Sequence, residues 1–249
     1  MPTTTEYAPS VQTHPNRAVL GEKAAAEAAA ILRERLAAPG TARIMLAAAP
    51  SQEATLRALS EAEGIDWNRV HAFHMDDYLG LSADAPQGFG NWLERHFVAN
   101  TPGLGFERMR PDGDPESEAE RYAAAMGDEP FDLVLLGLGV NGHLAFNDPP
   151  ADFDDPRAVR VVELDPVSRQ QQVDEGHFPD FGSVPPRALS VTIPRLLDTH
   201  VVIASVPGAQ KRQAVIDSLE QPIGGEHPGT ALRRHPRVHL HVDLESAPV

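Results

Sequence analysis

The 249-residue chain contains no cysteine, which excludes disulfides, thiolate metal sites and cysteine nucleophiles together. It has no run of twenty apolar residues. Its opening, Met1-Pro2-Thr3-Thr4-Thr5-Glu6, lacks the basic and apolar parts of a secretory signal. A cytoplasmic protein is the resulting expectation. Lys and Arg number 21 against 36 Asp and Glu, a formal net charge of −15. With no cationic excess to release counterions, neither nucleic acid nor an anionic membrane surface is a fitting main partner. The same surplus repels a phosphorylated ligand at long range, so a phosphate pocket must rest on a few local donors. A Ser/Gly-rich linker and any repeat of fixed period are also absent. One domain is therefore expected over residues 16–249, behind a polar segment, residues 1–15, expected to be flexible and frayed.

What is present is an alternation of strand and helix patterns. Asn16 is placed to cap an Ala-rich helix over residues 17–38, stopped by Pro39-Gly40. A strand follows over 43–48, and Pro50-Ser51 opens a second helix to about Glu63 with Ser51 as its cap. Strands are read over 70–75, 131–136, 159–164, 188–193, 201–206 and 238–242, and helices over 91–98, 115–126, 166–173, 194–197, 210–219 and 230–234. Such an order predicts the α/β class: an open, mostly parallel, twisted sheet with helices on both faces, Rossmann-like. In such sheets ligands bind beyond the carboxyl ends of the strands. That places Ala48-Ala49-Pro50-Ser51, Asp76-Asp77 and residues 137–148 at one pocket.

The third of these segments is the most informative. The apolar run Phe131-Asp132-Leu133-Val134-Leu135-Leu136 reads as a buried strand, and Gly137-Leu138-Gly139-Val140-Asn141-Gly142-His143 then turns the chain with little bulk. Gly139 and Gly142 leave backbone open to a ligand, and His143 and Asp148 can face it. The spacing Gly137-x-Gly139-x-x-Gly142 also matches a dinucleotide fingerprint, which requires a helix at the third glycine. Asn147-Asp148-Pro149-Pro150 and the acidic stretch after it break any such helix. No redox cofactor is expected.

By residue type the pocket holds carboxylates (Asp76, Asp77, Asp148), an imidazole (His143) and neutral amides (Asn141, Asn147). This inventory suits proton transfer: a carboxylate can move a proton between adjacent carbons, and imidazole titrates near neutrality. His71, His74, Asp76 and Asp77 raise the question of a metal, but His71 and His74 face opposite sides of a strand, so no metal site is expected.

In these motifs the chain resembles the glucosamine-6-phosphate deaminase/isomerase family. The resemblance runs from about residue 17 to 243 through Phe73-His74-Met75-Asp76-Asp77-Tyr78-Leu79-Gly80, the 137–149 segment, Ala188-Leu189-Ser190-Val191-Thr192-Ile193 with Leu196-Leu197-Asp198, Val206-Pro207-Gly208-Ala209-Gln210-Lys211, and Leu232 with His235-Pro236. It implies that a small phosphorylated amino sugar, glucosamine 6-phosphate, is converted to fructose 6-phosphate and ammonia. Asp76 would then carry the proton between C2 and C1, His143 would help open the pyranose ring, and Lys211 would bind phosphate. Asp148 stands where the family usually has glutamate supporting the histidine, and Asn141 where many members have aspartate. A shorter acid at 148 is expected to draw away from the ring and rework ring opening. The phosphate loop departs further: the usual Gly/Thr-rich turn reads Ala48-Ala49-Pro50-Ser51-Gln52, and the phosphate-binding arginine falls at Arg169, or at Gln172 by a gapless count.

Two other functions stay open beside this one. Lactonases that hydrolyse 6-phosphogluconolactone share the fold and a similar Gly-x-Gly-x-Asp-Gly-His loop, but the ending Ala145-Phe146-Asn147-Asp148 is deaminase-like. A non-catalytic sugar-phosphate sensor would be expected to carry a DNA-binding segment ahead of this domain, for which the short amino terminus leaves no room. Family members range from monomer to hexamer, so a homo-oligomer is compatible with the sequence.

Overall fold

A computed structural model describes residues 5–110 and 112–248. In chain order the elements are β1 (Ser10–His14), α1 (Arg17–Ala37), β2 (Ala42–Leu46), α2 (Glu53–Ser60), β3 (Val70–His74), β4 (Asp76–Tyr78), α3 (Phe89–His96), β5 (Gly105–Glu107) and α4 (Pro115–Met126). There follow β6 (Leu133–Leu136), β7 (Val159–Glu163), α5 (Pro166–Asp174), β8 (Arg187–Val191), α6 (Ile193–Leu197), β9 (Val202–Val206), α7 (Arg212–Glu220) and β10 (Val238–Asp243).

Seven strands form one parallel sheet in the order β1-β10-β9-β6-β2-β3-β5. Both of its faces are covered, as the strand alternation shows. Ile44, Leu46, Leu133, Leu135 and Ile203 pack with α1, α2 and α3. Their sequence neighbours Met45, Val134, Leu136, Val202 and Ala204 pack with Tyr122 and Met126 of α4 and Val215 of α7. A strand buried on both faces must be apolar at every position, which is why the 133–136 and 202–206 runs carry so few polar residues. Each fully buried leucine there contributes about 1.5–3 kcal/mol.

The chain leaves β2 toward β3 on one side, whereas β6 leads to β9 and β10 on the other. Between the adjacent strands β2 and β6 the direction of winding therefore reverses. The loops after those two strands separate there and open a crevice at their carboxyl ends. Among the described residues no helix is long and apolar enough to cross a membrane.

Three sequence expectations change. Residues 10–14 are not frayed: β1 pairs in parallel with β10, and His14 Nε2 lies 3.0 Å from His241 Nδ1 with the two rings stacked. That pairing joins residues more than 220 positions apart, so nothing local signals it. Asp76-Asp77 does not end a strand of the main sheet. It begins β4, which pairs antiparallel with β8, itself antiparallel to β7, in a separate three-stranded sheet. Finally, Ser51 is not a helix cap; it sits in a 3-10 turn, Pro50–Gln52, ahead of α2.

Candidate active site

An open cavity occupies the crevice, with about 490 Å³ of empty space counting the solvent at its mouth. The end of β2 contributes Ala48, Ala49, Ser51 and Gln52, and the end of β3 contributes Met75 and Asp76. Gly137, Leu138, Gly139, His143, Ala145 and Phe146 come from the loop after β6, Gln171, Gln172 and Glu175 from α5, and Lys211 from the turn after β9. Of the residues singled out in the sequence, Ala48, Ala49, Ser51, Asp76, Gly139, His143 and Lys211 line this cavity.

Asp76 is buried beside Asp77 with Asp148 near enough to act on its charge. Burial pushes its carboxyl well above the ordinary range, and the charges of Asp77 and Asp148 push it further. Such a carboxyl is a stronger base than a solvated one once ionised. The adjacent Asp77 does other work and is not among the cavity-lining residues. Its Oδ1 accepts from the amides of Tyr78 and Phe89, each at 2.9 Å, and its Oδ2 from the amide of Gly90 at 3.0 Å. It therefore holds the amino end of α3 in place of a local cap. Burial raises the Asp77 carboxyl to about 6 even against those three donors.

His143 is held by a network behind the cavity wall. Its Nδ1 is 2.8 Å from Ser168 Oγ and 3.1 Å from Asp148 Oδ1, and the Ser168 hydroxyl donates to the same carboxylate oxygen. With acceptors on that side, the network assigns the proton to Nδ1 and leaves Nε2 as the nitrogen with a lone pair for a ligand. Asp148 Oδ2 accepts from the Asp165 amide at 3.0 Å. Burial alone would raise Asp148, but the hydrogen bond and charge of His143, with Ser168 and the Asp165 amide, outweigh it and hold the carboxyl below the ordinary range.

The expected withdrawal of Asp148 from the ring does not occur. Asn141 Nδ2 donates to Asp148 Oδ1 at 3.1 Å, and Asn141 Oδ1 accepts from the His143 amide at 3.1 Å. Asn141 and Ser168 thus draw the shorter acid in, where a carboxylate at 141 would repel it. Neither Asn141 nor Asp148 lines the cavity, so their place is behind the histidine.

The glycines divide in the same way. A Cβ on Gly139 would lie 2.2–2.4 Å from three atoms of the His143 ring, so only glycine lets the imidazole lie against this backbone. Gly142, at φ +81°, turns the chain without lining the cavity. Ala145 does line it, at φ +50°, a left-handed conformation that costs a residue with a Cβ about 1–2 kcal/mol. Asn147, placed among the pocket amides by sequence, instead fastens the loop. Its Nδ2 donates to the carbonyls of Leu144 and Val191, each at 2.8 Å, and ties the histidine loop to the small sheet that carries Asp76.

On the α5 side the arginine expectation fails. Arg169 Nη2 donates to the carbonyls of Phe181 and Val184 at 2.9 and 2.8 Å, its guanidinium stacks over the Phe181 ring, and it does not line the cavity. Gln172 lines it instead, its Oε1 accepting from Tyr78 Oη at 2.6 Å. A nine-residue helix presents positions 171, 172 and 175 to one side, and 169 falls on another. Lys211 is almost fully buried, with Nζ 3.5 Å from Glu175 Oε1. Burial lowers its ammonium, partly offset by that carboxylate.

Gln52 had no sequence signal of its own, and neither had Ser168, Gln171 and Glu175 on and at the end of α5. For the α5 residues the spacing, with 168, 171, 172 and 175 recurring at three and four residues, is the pattern of a helix face and could have pointed to them.

Residues 15–240 match the family model described as glucosamine-6-phosphate isomerases/6-phosphogluconolactonase. The glucosamine-6-phosphate deaminase of Streptococcus sanguinis (strain SK36) is 31% identical over 232 residues, spanning 92% of this chain and 94% of that protein. The deaminase of Streptococcus pneumoniae serotype 4 (strain ATCC BAA-334 / TIGR4) is 31% identical over 231 residues, with the same shares covered. Among solved structures, a monomeric glucosamine-6-phosphate deaminase superposes with a TM-score of 0.86 at 28% identity, over 95% of this chain and 98% of that one. A 6-phosphogluconolactonase from Shewanella baltica OS155 superposes at 0.78 with 17% identity, over 94% and 97%, a likeness of fold. The chain therefore belongs to the glucosamine-6-phosphate isomerase/6-phosphogluconolactonase family.

Proposed function

We propose that this enzyme is a glucosamine-6-phosphate deaminase, acting in the cytoplasm on a small phosphorylated amino sugar. The observation that carries this reading is that Asp76, at the start of β4 just after β3, and His143, from the loop after β6, line one cavity. His143 Nε2 takes the proton of the C1 hydroxyl and returns one to the ring oxygen, opening the pyranose to its aldehyde. Asp76 then removes the C2 proton while O1 gains one, giving an enolamine, and returns its proton to C1. The resulting C2 iminium adds water and expels ammonia, so substrate and one water become fructose 6-phosphate and ammonia. A base whose pKa lies well above that of free aspartate suits a weakly acidic C–H, because proton transfer is then less uphill.

Lys211 on the far side holds the phosphate, assisted by Ser51, Gln52 and Gln172. Along the sheet, β9 and β3 are three strand spacings apart, about 14 Å, and this separates the phosphate side from the proton-transferring side. Asp148, Asn141 and Ser168 position His143, and Asp77 positions α3.

The test is release of ammonia and fructose 6-phosphate from glucosamine 6-phosphate, with Asp76→Asn as control. The natural chain is expected to release both in equal amounts. The variant is expected to lose about a thousandfold or more in kcat. Hydrolysis of 6-phosphogluconolactone with no ammonia would refute the reading.

A further inference from the structure

Besides His143, the cavity wall carries three titratable side chains, Asp76, Glu175 and Lys211, and among the described residues no arginine lines it. A phosphate dianion in a buried site is ordinarily met by an arginine fork, or by a lysine whose charge is available to it. Here the one ammonium is already engaged by Glu175 Oε1 at 3.5 Å, and both side chains lie largely out of solvent, at 3% and 15% exposure. Gln171 Nε2 donates to the same Glu175 oxygen at 2.8 Å, and Gln171 Oε1 accepts from the Val140 amide at 2.9 Å. The carboxylate is thus presented to Lys211 by a fixed partner, which is more than a chance contact between long side chains.

Its place on the helix strengthens the point. Glu175 caps the carboxyl end of α5, where exposed carbonyls make an anion unfavourable and a cation favourable. A negative charge put there against the helix dipole, inside a site that is to receive a dianion, opposes ligand binding twice. Glu175 also borders a second, surface groove of about 980 Å³ formed with Val140, Pro166, Val167 and Gln210. The carboxylate therefore has somewhere to turn without crossing the protein interior.

We propose that Glu175 is a specificity-determining residue that competes with the substrate's phosphate for Lys211. On binding, the phosphate takes over the ammonium and Glu175 rotates toward the groove. The separation of the Lys211–Glu175 pair is charged against every phosphorylated ligand and against no unphosphorylated sugar. Glu175 thereby weakens the preference for the phosphate ester over the free amino sugar. This rests on the reading that the Lys211 side receives phosphate.

The direct probe is inorganic phosphate, titrated calorimetrically into the full chain. Glu175→Gln, which keeps the shape and removes the charge, is expected to tighten the dissociation constant about tenfold. Glu175→Asp, which keeps the charge but shortens its reach, is expected to fall between, and it stands in should the first variant not fold. In a Lys211→Met background, where no ammonium is left to compete for and only the repulsion between carboxylate and phosphate remains, Glu175→Gln is expected to tighten phosphate binding by a smaller factor than in the natural chain. In turnover, the KM for glucosamine 6-phosphate is expected to fall by the same factor as the dissociation constant, while the KM for glucosamine stays put. Phosphate binding that is unchanged or weaker in both Glu175 variants would overturn the proposal, because the carboxylate would then only orient the lysine. The titration needs no catalysis. Tightening in a chain that releases no ammonia would leave this inference standing and sink the deaminase reading; the reverse pair of results would do the opposite.

Discussion

On the Asp76–His143 side of the cavity the supporting groups stand behind the wall, whereas on the Lys211 side the supporting group shares the wall with the ligand. Asp148, Ser168 and Asn141 brace His143 without lining the cavity, and Asp77 braces α3 in the same manner. Glu175 braces Lys211 from within the ligand's space. The two arrangements have different consequences. A brace behind the wall fixes a tautomer and a ring angle whether or not substrate is bound, and so contributes to the chemical step. A brace inside the space must be dislodged, and so contributes to affinity and selection.

The comparison breaks most sharply at Asp148. Asp148→Asn replaces an acceptor by an amide that can point its NH2 at Nδ1, which would move the imidazole proton to Nε2, facing the substrate. We expect kcat to fall about a hundredfold with KM changed little, and steady-state kinetics will check it. An equal rise in KM would mean that this side, too, is about binding.

A smaller and graded effect is expected from pH. On the proposed mechanism Asp76 must be ionised to take the C2 proton, and burial, with Asp77 and Asp148, raises its carboxyl well above the ordinary range. The sign follows: kcat/KM rises with pH up to that raised value and falls about tenfold per unit below it. Asp148, held below the ordinary range by His143, Ser168 and the Asp165 amide in spite of burial, stays ionised across this span and adds no limb. A pH–rate profile whose acid limb lies at the pKa of a solvated aspartate would contradict the buried-base assignment.

The smallest effect on catalysis is expected at Arg169. Its two hydrogen bonds and its stacking hold the Phe181–Val184 segment, and it does not line the cavity. Arg169→Ala should leave KM within about twofold while costing about 1–2 kcal/mol of stability, readable as a shift in the denaturant midpoint. A large rise in KM would return the arginine to the phosphate side.

Some of this was legible from the chain alone because it is written in local pattern. Asn16, whose Oδ1 accepts from the Val19 amide at 3.0 Å, caps α1 as its residue type requires. The helix over 115–126 and the buried strands of the main sheet follow from period and composition. The loop motif announced His143, and the strand ending before Asp76 announced a carboxylate at the crevice. The edge strand β1 and the three-stranded sheet were not legible, because each depends on a partner far along the chain. Arg169 failed for a related reason. A register error of a few residues is small in sequence, but on a helix it rotates a side chain from one face to another.

The sequence by itself determined the α/β class, the absence of thiol chemistry, the glycine turn that lets an imidazole lie against backbone, and the residue types available for proton transfer. Only the tertiary structure decided which of two adjacent aspartates meets the cavity, that Ser168 joins His143 to a shortened acid, and that the cavity's Lys211 is shared with Glu175. Backbone conformation is set largely by neighbours within a few residues, which a sequence displays. The charge state and reach of a side chain are set by burial and by groups brought close in space from distant positions, and those exist only once the chain has folded.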